Sequence, residues 1–184
     1  MGTLRLDRDS GTLRIRTTVE GRASRMGHRL TIDIADWNAA VELTGLQPTT
    51  VELTADLTSL QVISGDGGVT PVSPVDKAAI KHNALKSVHA DDFPVVTFAA
   101  DSCAPTADGF ELQGDLTINN HTSAHPVRVV VSETDSGWKV SGRSAVVQTE
   151  FSIKPYSLMV GALRVGDEVS VEFQASFDRS AITG

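Results

Sequence analysis

The stretch from Phe93 to Val131 constrains the fold more than any other part of this chain. An alternating run, FPVVTFAADS, is followed by GFELQGDLTINNHTSAHPVRVVV, so three strand-like segments are separated by short turns. Val96, Phe98 and Ala100 share one face of the first segment, and Phe110, Leu112, Gly114, Leu116 and Ile118 share one face of the second. Val127, Val129 and Val131 do so in the third. A period of two means that one face is buried while the other is wet. Three such segments in succession predict the wall of an antiparallel barrel, and a hollow β-protein points to binding rather than catalysis.

The same periodicity runs through the rest of the chain. Leu13, Ile15, Thr17 and Val19 alternate with polar neighbours, as do Leu30, Ile32 and Ile34, and the intervening GRASRMG makes the two runs a hairpin. Ala39, Val41 and Leu43 form a third run, and Val51, Leu53, Ala55 and Leu57 a fourth. From Thr58 to Pro74 the composition shifts to Ser, Gly, Asp and Pro, which predicts a loop. One helix follows, with Ser73 as N-cap, Pro74 at its first position and an apolar face of Val75, Ala78, Ala79, His82 and Leu85. Trp138, Val140, Gly142 and Ser144 resume the strand pattern, and Val169, Val171, Phe173, Ala175 and Phe177 finish it. The count is eight or nine strands and one helix, an all-β chain; with eight strands, a closed antiparallel barrel leaves an interior that side chains fill or that holds one elongated small ligand. Small inward residues, Gly114, Gly142 and Ala175, either leave room for an internal cavity or mark a twist or bulge of the strand.

Composition narrows the partners. A length of 184 residues suits one domain, taken as 1–184 with a core of about 10–177. The net charge of −7 argues against a nucleic-acid partner, since a phosphate backbone repels an acidic surface. The charge is uneven, however. Seven of the 16 basic residues lie in the first 29 positions against three acids, so that segment carries +4 and the remainder −11. Cys103 is the only cysteine, so no intrachain disulfide and no thiolate zinc site can form. No stretch approaches the about 18 apolar residues of a membrane span, and the N-terminus lacks an apolar signal core. A soluble, cytoplasmic protein is the expectation.

ALKSVHADDFPVVTFAAD, GFELQGDLTINNHTSAHPVRVVV and VVQTEFSIKPYSLMVGALRVGDEVSVEFQASF together resemble the YceI-like family of lipocalin-like barrels. His82 to Phe98, Gly114 to Val127 and Phe151 to Val169 carry the three motifs, and the likeness spans roughly residues 10 to 177. It implies an eight-stranded barrel with a long apolar tunnel that binds a polyisoprenoid, such as an isoprenoid quinone or a prenyl pyrophosphate. No catalytic residue and no cofactor come with it. Two departures stand out: Lys77 to Asn83 lack the Arg-Asp pair that commonly opens the helix motif, and LTINNHTSAHP has two extra residues before its proline.

These readings single out candidate residues. Leu30, Ile32, Ile34, Leu53, Phe98, Leu112, Leu116, Val129, Trp138 and Phe173 are the expected ligand-binding wall. Arg22, Arg25, His28 and Arg29, at the first hairpin, are the cluster that could meet an anionic head group. His121 and His125 are four apart in a turn between strands, which is poor spacing for a metal. Neither a nucleophile elbow nor a phosphate-binding glycine loop occurs. The alternatives are an enzyme acting on a small hydrophobic substrate through His28 or His82 as base, and a stress-related interaction protein. The latter would dimerise through a strand edge or through the apolar segment from Tyr156 to Leu163.

Overall fold

A computed structural model describes residues 1–183. Sixteen strand segments and one α-helix follow the chain. The first half holds β1 (Gly2–Asp7), β2 (Gly11–Arg16), β3 (Val19–Glu20), β4 (His28–Ile34), β5 (Trp37–Thr44), β6 (Gln47–Asp56), β7 (Leu60–Gly67) and α1 (Pro74–Ser87). The second half holds β8 (Val95–Pro105), β9 (Gly109–Ile118), β10 (His121–Ala124), β11 (Val127–Glu133) and β12 (Gly137–Val147), then β13 (Ser157–Leu158), β14 (Leu163–Val165), β15 (Glu168–Asp178) and β16 (Ile182–Thr183).

Register shows how these segments make a barrel. The segments β1 and β2 pair with β5 and β4 in one continuous antiparallel sense, from Gly2↔Leu43 to Asp7↔Asn38 and on from Leu13↔Ile34 to Arg16↔Thr31. They are therefore one strand interrupted by the turn at 8–10. By the same test β4–β5, β6–β7 and β15–β16 are each one kinked strand. With β8, β9, β11 and β12 this makes eight strands, each paired with the next in sequence, and β15 pairs back onto β2 to close the ring. Closure leaves no free sheet edge over most of the circumference.

One exception is β10, which pairs with β9 alone; the other is β7, and α1 covers it. β8 begins opposite Asp56, where Asp56↔Val95 is the last pair, so β7 has β4 on one side and no strand on the other. The helix packs along that open side, and Lys77 Nζ donates to the unpaired Ile63 carbonyl at 2.6 Å. Its start is set by a capping box, in which side chain and backbone satisfy each other's donors. Ser73 N–H donates to Asp76 Oδ2 at 2.8 Å, while Ser73 Oγ accepts from Asp76 N–H at 3.2 Å. The Ser73 hydroxyl, which donates to Asp76 Oδ2 at 2.7 Å, and the Ser73 N–H hold the Asp76 carboxyl below its usual range, because they favour the charged form.

Four expectations need correction. The Ser- and Gly-rich stretch after Thr58 is not one loop: β7 occupies Leu60–Gly67, with Leu60 and Val62 buried in alternation, so only 68–73 remains irregular. An N-terminal strand, β1, precedes the first predicted run, and its Leu4 and Leu6 are buried. The helix turns a different face inward. Val75 is 78 % exposed and Ala78, Ala79 and His82 face solvent; of the expected face only Leu85 packs on the core, and Ile80, Asn83, Ala84, Ser87 and Val88 face the barrel. The amphipathic signal was weak because lysine, asparagine and serine share the inward stripe. Finally, of the three small residues only Gly142 borders the cavity, where a Cβ would sit 3.3 Å from the Val129 methyl; the room beside Gly114 is taken by the Phe98 ring, and Ala175 is packed.

Candidate functional site

The barrel encloses a cavity of about 1110 Å³. That exceeds the ~300–1,000 Å³ of ordinary small-molecule sites. It runs the length of the barrel, from the end closed by tight turns (Leu46, Pro48, Ala107) to the end carrying the long loops (Met26, Leu158, Leu163). All ten residues expected on the wall line it: Leu30, Ile32, Ile34, Leu53, Phe98, Leu112, Leu116, Val129, Trp138 and Phe173. The period of two explains why, since each lies on the inward parity of its strand. Protein interiors are normally close-packed, so an apolar void of this size forfeits contacts that a ligand can restore.

Outside the barrel the chemistry reverses. Arg14 pairs with Asp33 across β2 and β4 at 2.7 Å, Arg16 with Glu172 at 2.8 Å, and Thr3 Oγ1 donates to Glu42 at 3.0 Å. A charged outer wall with an apolar lumen is the inverse of a membrane-spanning barrel, whose outer band is apolar. No helix among the described residues is long and apolar enough to cross a membrane.

A few polar groups reach the cavity, mostly near the loop end. His125 Nε2 shares a hydrogen bond with Ser144 Oγ, and burial pushes the imidazole pKa down, with Glu150 opposing. Asn83 on α1 donates to Tyr156 Oη at 3.2 Å. Arg143 and Arg164 also line the cavity. Of the four residues expected for an anionic head group, only His28 does; its Nε2–H donates to the Thr70 carbonyl at 2.7 Å. Arg22, Arg25 and Arg29 point to solvent, and Arg29 sits on the outer face opposite Asp66. His82 lies on the solvent side of α1. His125 was legible by parity, because counting back from Val127 by two places it inward. Asn83 and Tyr156 gave no such signal, since their meeting joins α1 to a loop 73 residues away.

The variant loop has its own logic. Asn119 and Asn120 have φ of 51° and 58°, the left-handed pair of a two-residue hairpin turn. Asparagine tolerates that region because its short polar side chain bonds locally. The turn folds β10 back on β9, from His121↔Ile118 to Ala124↔Asp115. His121 Nδ1–H donates to the Asn119 carbonyl at 2.8 Å, which leaves Nε2 to accept from Ser152 Oγ at 3.0 Å. A neutral imidazole has one donor and one acceptor, and both are used. Asn119 Nδ2 donates to the Phe151 carbonyl at 3.2 Å. His121 is thus a latch between two loops, while His125 serves the cavity. Phe151, 1 % exposed, packs beneath that latch. Cys103 is half-buried, and burial with the nearby Asp101 raises its thiol pKa, which suits packing rather than nucleophilic chemistry.

The comparisons agree with this architecture. BcnA from Burkholderia cenocepacia has a similar fold, with a TM-score of 0.70 at 16 % identity over 92 % of this chain and 97 % of that one. A Campylobacter jejuni YCEI protein is similar at a TM-score of 0.60 and 11 % identity, covering 80 % of this chain and 84 % of that one. A mutant CJ YCEI protein, solved with a monobromobimane guest, gives 0.61 and 10 % over the same shares. None of the curated proteins matches the chain. The YceI-like domain matches residues 4–177, nearly the whole barrel, and the chain belongs to the YceI-like family.

Proposed function

We propose that this protein binds and carries an elongated apolar ligand inside the barrel, without covalent chemistry, and that the ligand is a polyisoprenoid such as an isoprenoid quinone or a prenyl pyrophosphate. The observation that carries the reading is the continuous apolar cavity running from the turn end to the loop end. Each isoprene unit removes on the order of 100 Å² of apolar surface from water, or roughly 2.5 kcal/mol gross. A few units therefore outweigh the cost of association. The ten wall residues named above are the contact surface in this reading. Of the expected head-group cluster His28, at the mouth, would meet an anionic head group, while Arg22, Arg25 and Arg29 face solvent on the adjacent loop and strand. A cytoplasmic site of action and a monomer–dimer equilibrium belong to the same reading, and fractionation and sedimentation test them.

Organic extraction of the purified protein, followed by mass spectrometry, is expected to recover a prenyl lipid. A barrel that yields no lipid and fails to bind an added polyprenol would sink the proposal. The enzyme alternative gains one residue from the structure, since His125 borders the cavity beside Ser144. Its partner is a hydroxyl rather than the carboxylate that would orient a general base.

A further inference from the structure

The loop end of the barrel carries a small platform that is built as one piece. Arg164↔Glu20 and Val165↔Val19 pair β14 with β3, and Leu158↔Leu163 pairs β13 with β14. Ala23 N–H donates to the Ala162 carbonyl at 2.8 Å, which ties the turn at Ser24–Met26 to the same unit. Glycine is required at two contacts: a Cβ on Gly21 would lie 2.4 Å from the Ala162 oxygen, and one on Gly27 would lie 2.7 Å from Leu163 and Val19. Met26, Leu158, Leu163 and Arg164 of this platform line the cavity. The platform is therefore the rim of the cavity mouth.

Its tip is apolar and exposed. Leu158, Met159 and Val160 are three consecutive large apolar residues in solvent, with Met159 57 % exposed and Val160 fully so, and Met26 stands exposed on the same platform. A run of this kind is a liability in a soluble protein unless it serves a function. The backbone holds it there against its own preference: Met159 has φ 52° and Val160 φ 53°. That left-handed conformation is an outlier for a β-branched residue. Space around Gly161 is open.

Charge completes the pattern. Within the platform Arg22, Arg25 and Arg164 stand against Glu20 alone, a local excess of positive charge on a chain whose net charge is −7; on its flanks Lys154 is set against Glu150, Asp167 and Glu168. Glu20 is taken by Arg164 at 2.9 Å, and among the described residues Arg22 and Arg25 form no ion pair. Of the other acids of this end, Asp66 and Asp76 belong to β7 and α1 on the helix side of the mouth, and the Asp167 carboxylate is occupied by Thr149, whose N–H and Oγ1–H donate to it at 2.9 and 2.6 Å. A protruding apolar tip flanked by free guanidinium groups combines interfacial insertion with attraction to anionic head groups. A second acidic copy of this chain offers neither an acyl layer nor a dense anionic plane.

We infer that the platform formed by β3, β13 and β14 docks on an anionic lipid bilayer, inserting Met159 and Val160 and setting the cavity mouth against the acyl chains. This assigns Arg22 and Arg25 to membrane head groups rather than to the cargo. The mouth-to-membrane geometry rests on the reading of the cavity as a lipid site; the docking surface does not.

The test is co-sedimentation of the full chain with vesicles of phosphatidylcholine alone and of phosphatidylcholine containing phosphatidylglycerol, at rising salt. Binding is expected to need the anionic lipid and to weaken with salt. Arg22→Ala with Arg25→Ala should lower it roughly thirtyfold, and Met159→Ser with Val160→Ser at least about tenfold. In both variants an apolar fluorophore should still enter the cavity, which reports that the barrel is folded. Three outcomes overturn the inference: no binding to anionic vesicles, binding that ignores both double variants, or a wild-type dimer that the Met159/Val160 variant dissolves without any vesicle binding. Fluorophore entry without vesicle binding defeats the docking surface alone. Vesicle binding with an empty, probe-excluding cavity defeats the carrier reading alone.

Discussion

At the scale of single residues, side chains here divide between those that serve the cavity and those that hold loops around it. His125 belongs to the first group, and its depressed pKa has a stability consequence. The unfolded chain takes up a proton near the ordinary histidine value of about 6.5, while the folded imidazole resists until lower pH. Stability is therefore complete above that pH and declines as pH falls toward the folded pKa. Melting temperature followed from neutral to mildly acidic pH should show that decline, reduced in His125→Gln. Val160 illustrates the opposite balance. Val160→Asn relieves a left-handed β-branched residue and should raise stability by about 1 kcal/mol in denaturant titration, a gain expected where strain has been kept for function. The alternation of the chain disclosed which residues point inward, but not that Val160 is turned out, since φ follows from how the platform closes.

At the scale of elements, the helix is the part most exposed to single changes. Its N-terminus rests on the Ser73–Asp76 capping box, so Ser73→Ala should cost about 1 kcal/mol, read as a drop in melting temperature. Lys77→Ala removes the donor to the Ile63 carbonyl. It should speed amide exchange along β7, with less effect on β9 or β12, which have partners on both sides. The position of α1 was legible from Ser73 and Pro74, because capping is local chemistry. Its inward face was not, because Asn83 and Ser87 turn inward to meet the mouth of the cavity rather than a packed core. β7 was hidden for a related reason. Its Ser64, Gly65, Asp66 and Gly67 read as a loop, yet pairing with β4 from His28↔Gly67 to Ile34↔Leu60 supplies hydrogen bonds that its composition does not advertise.

At the scale of the whole molecule, the empty lumen is the property that matters. A closed wall with an unfilled interior should tolerate bulk that a packed core would reject. Val129→Trp is expected to keep or raise the melting temperature while abolishing uptake of an apolar fluorophore, whereas the same enlargement at Ala175, in the packed region, should destabilise the protein. Trp138 lines the cavity and stacks near Phe177 at 5.8 Å, so its emission should shift when the cavity fills. Trp37, buried edge-on to Phe173 at 5.3 Å, should respond less.

By itself the sequence determined which face of each strand is apolar and where the helix begins. These follow from local periodicity and capping, which depend on neighbours within a few residues. Only the tertiary structure decided that the interior stays hollow, that α1 seals β7 with Ile80, Asn83 and Ala84 rather than with Val75 and Ala79, and that Arg22 and Arg25 share a rim with Met159 and Val160. Each of these depends on contacts between segments far apart in the chain. No periodicity within a segment encodes the space left between walls or the company a loop keeps once the barrel has closed.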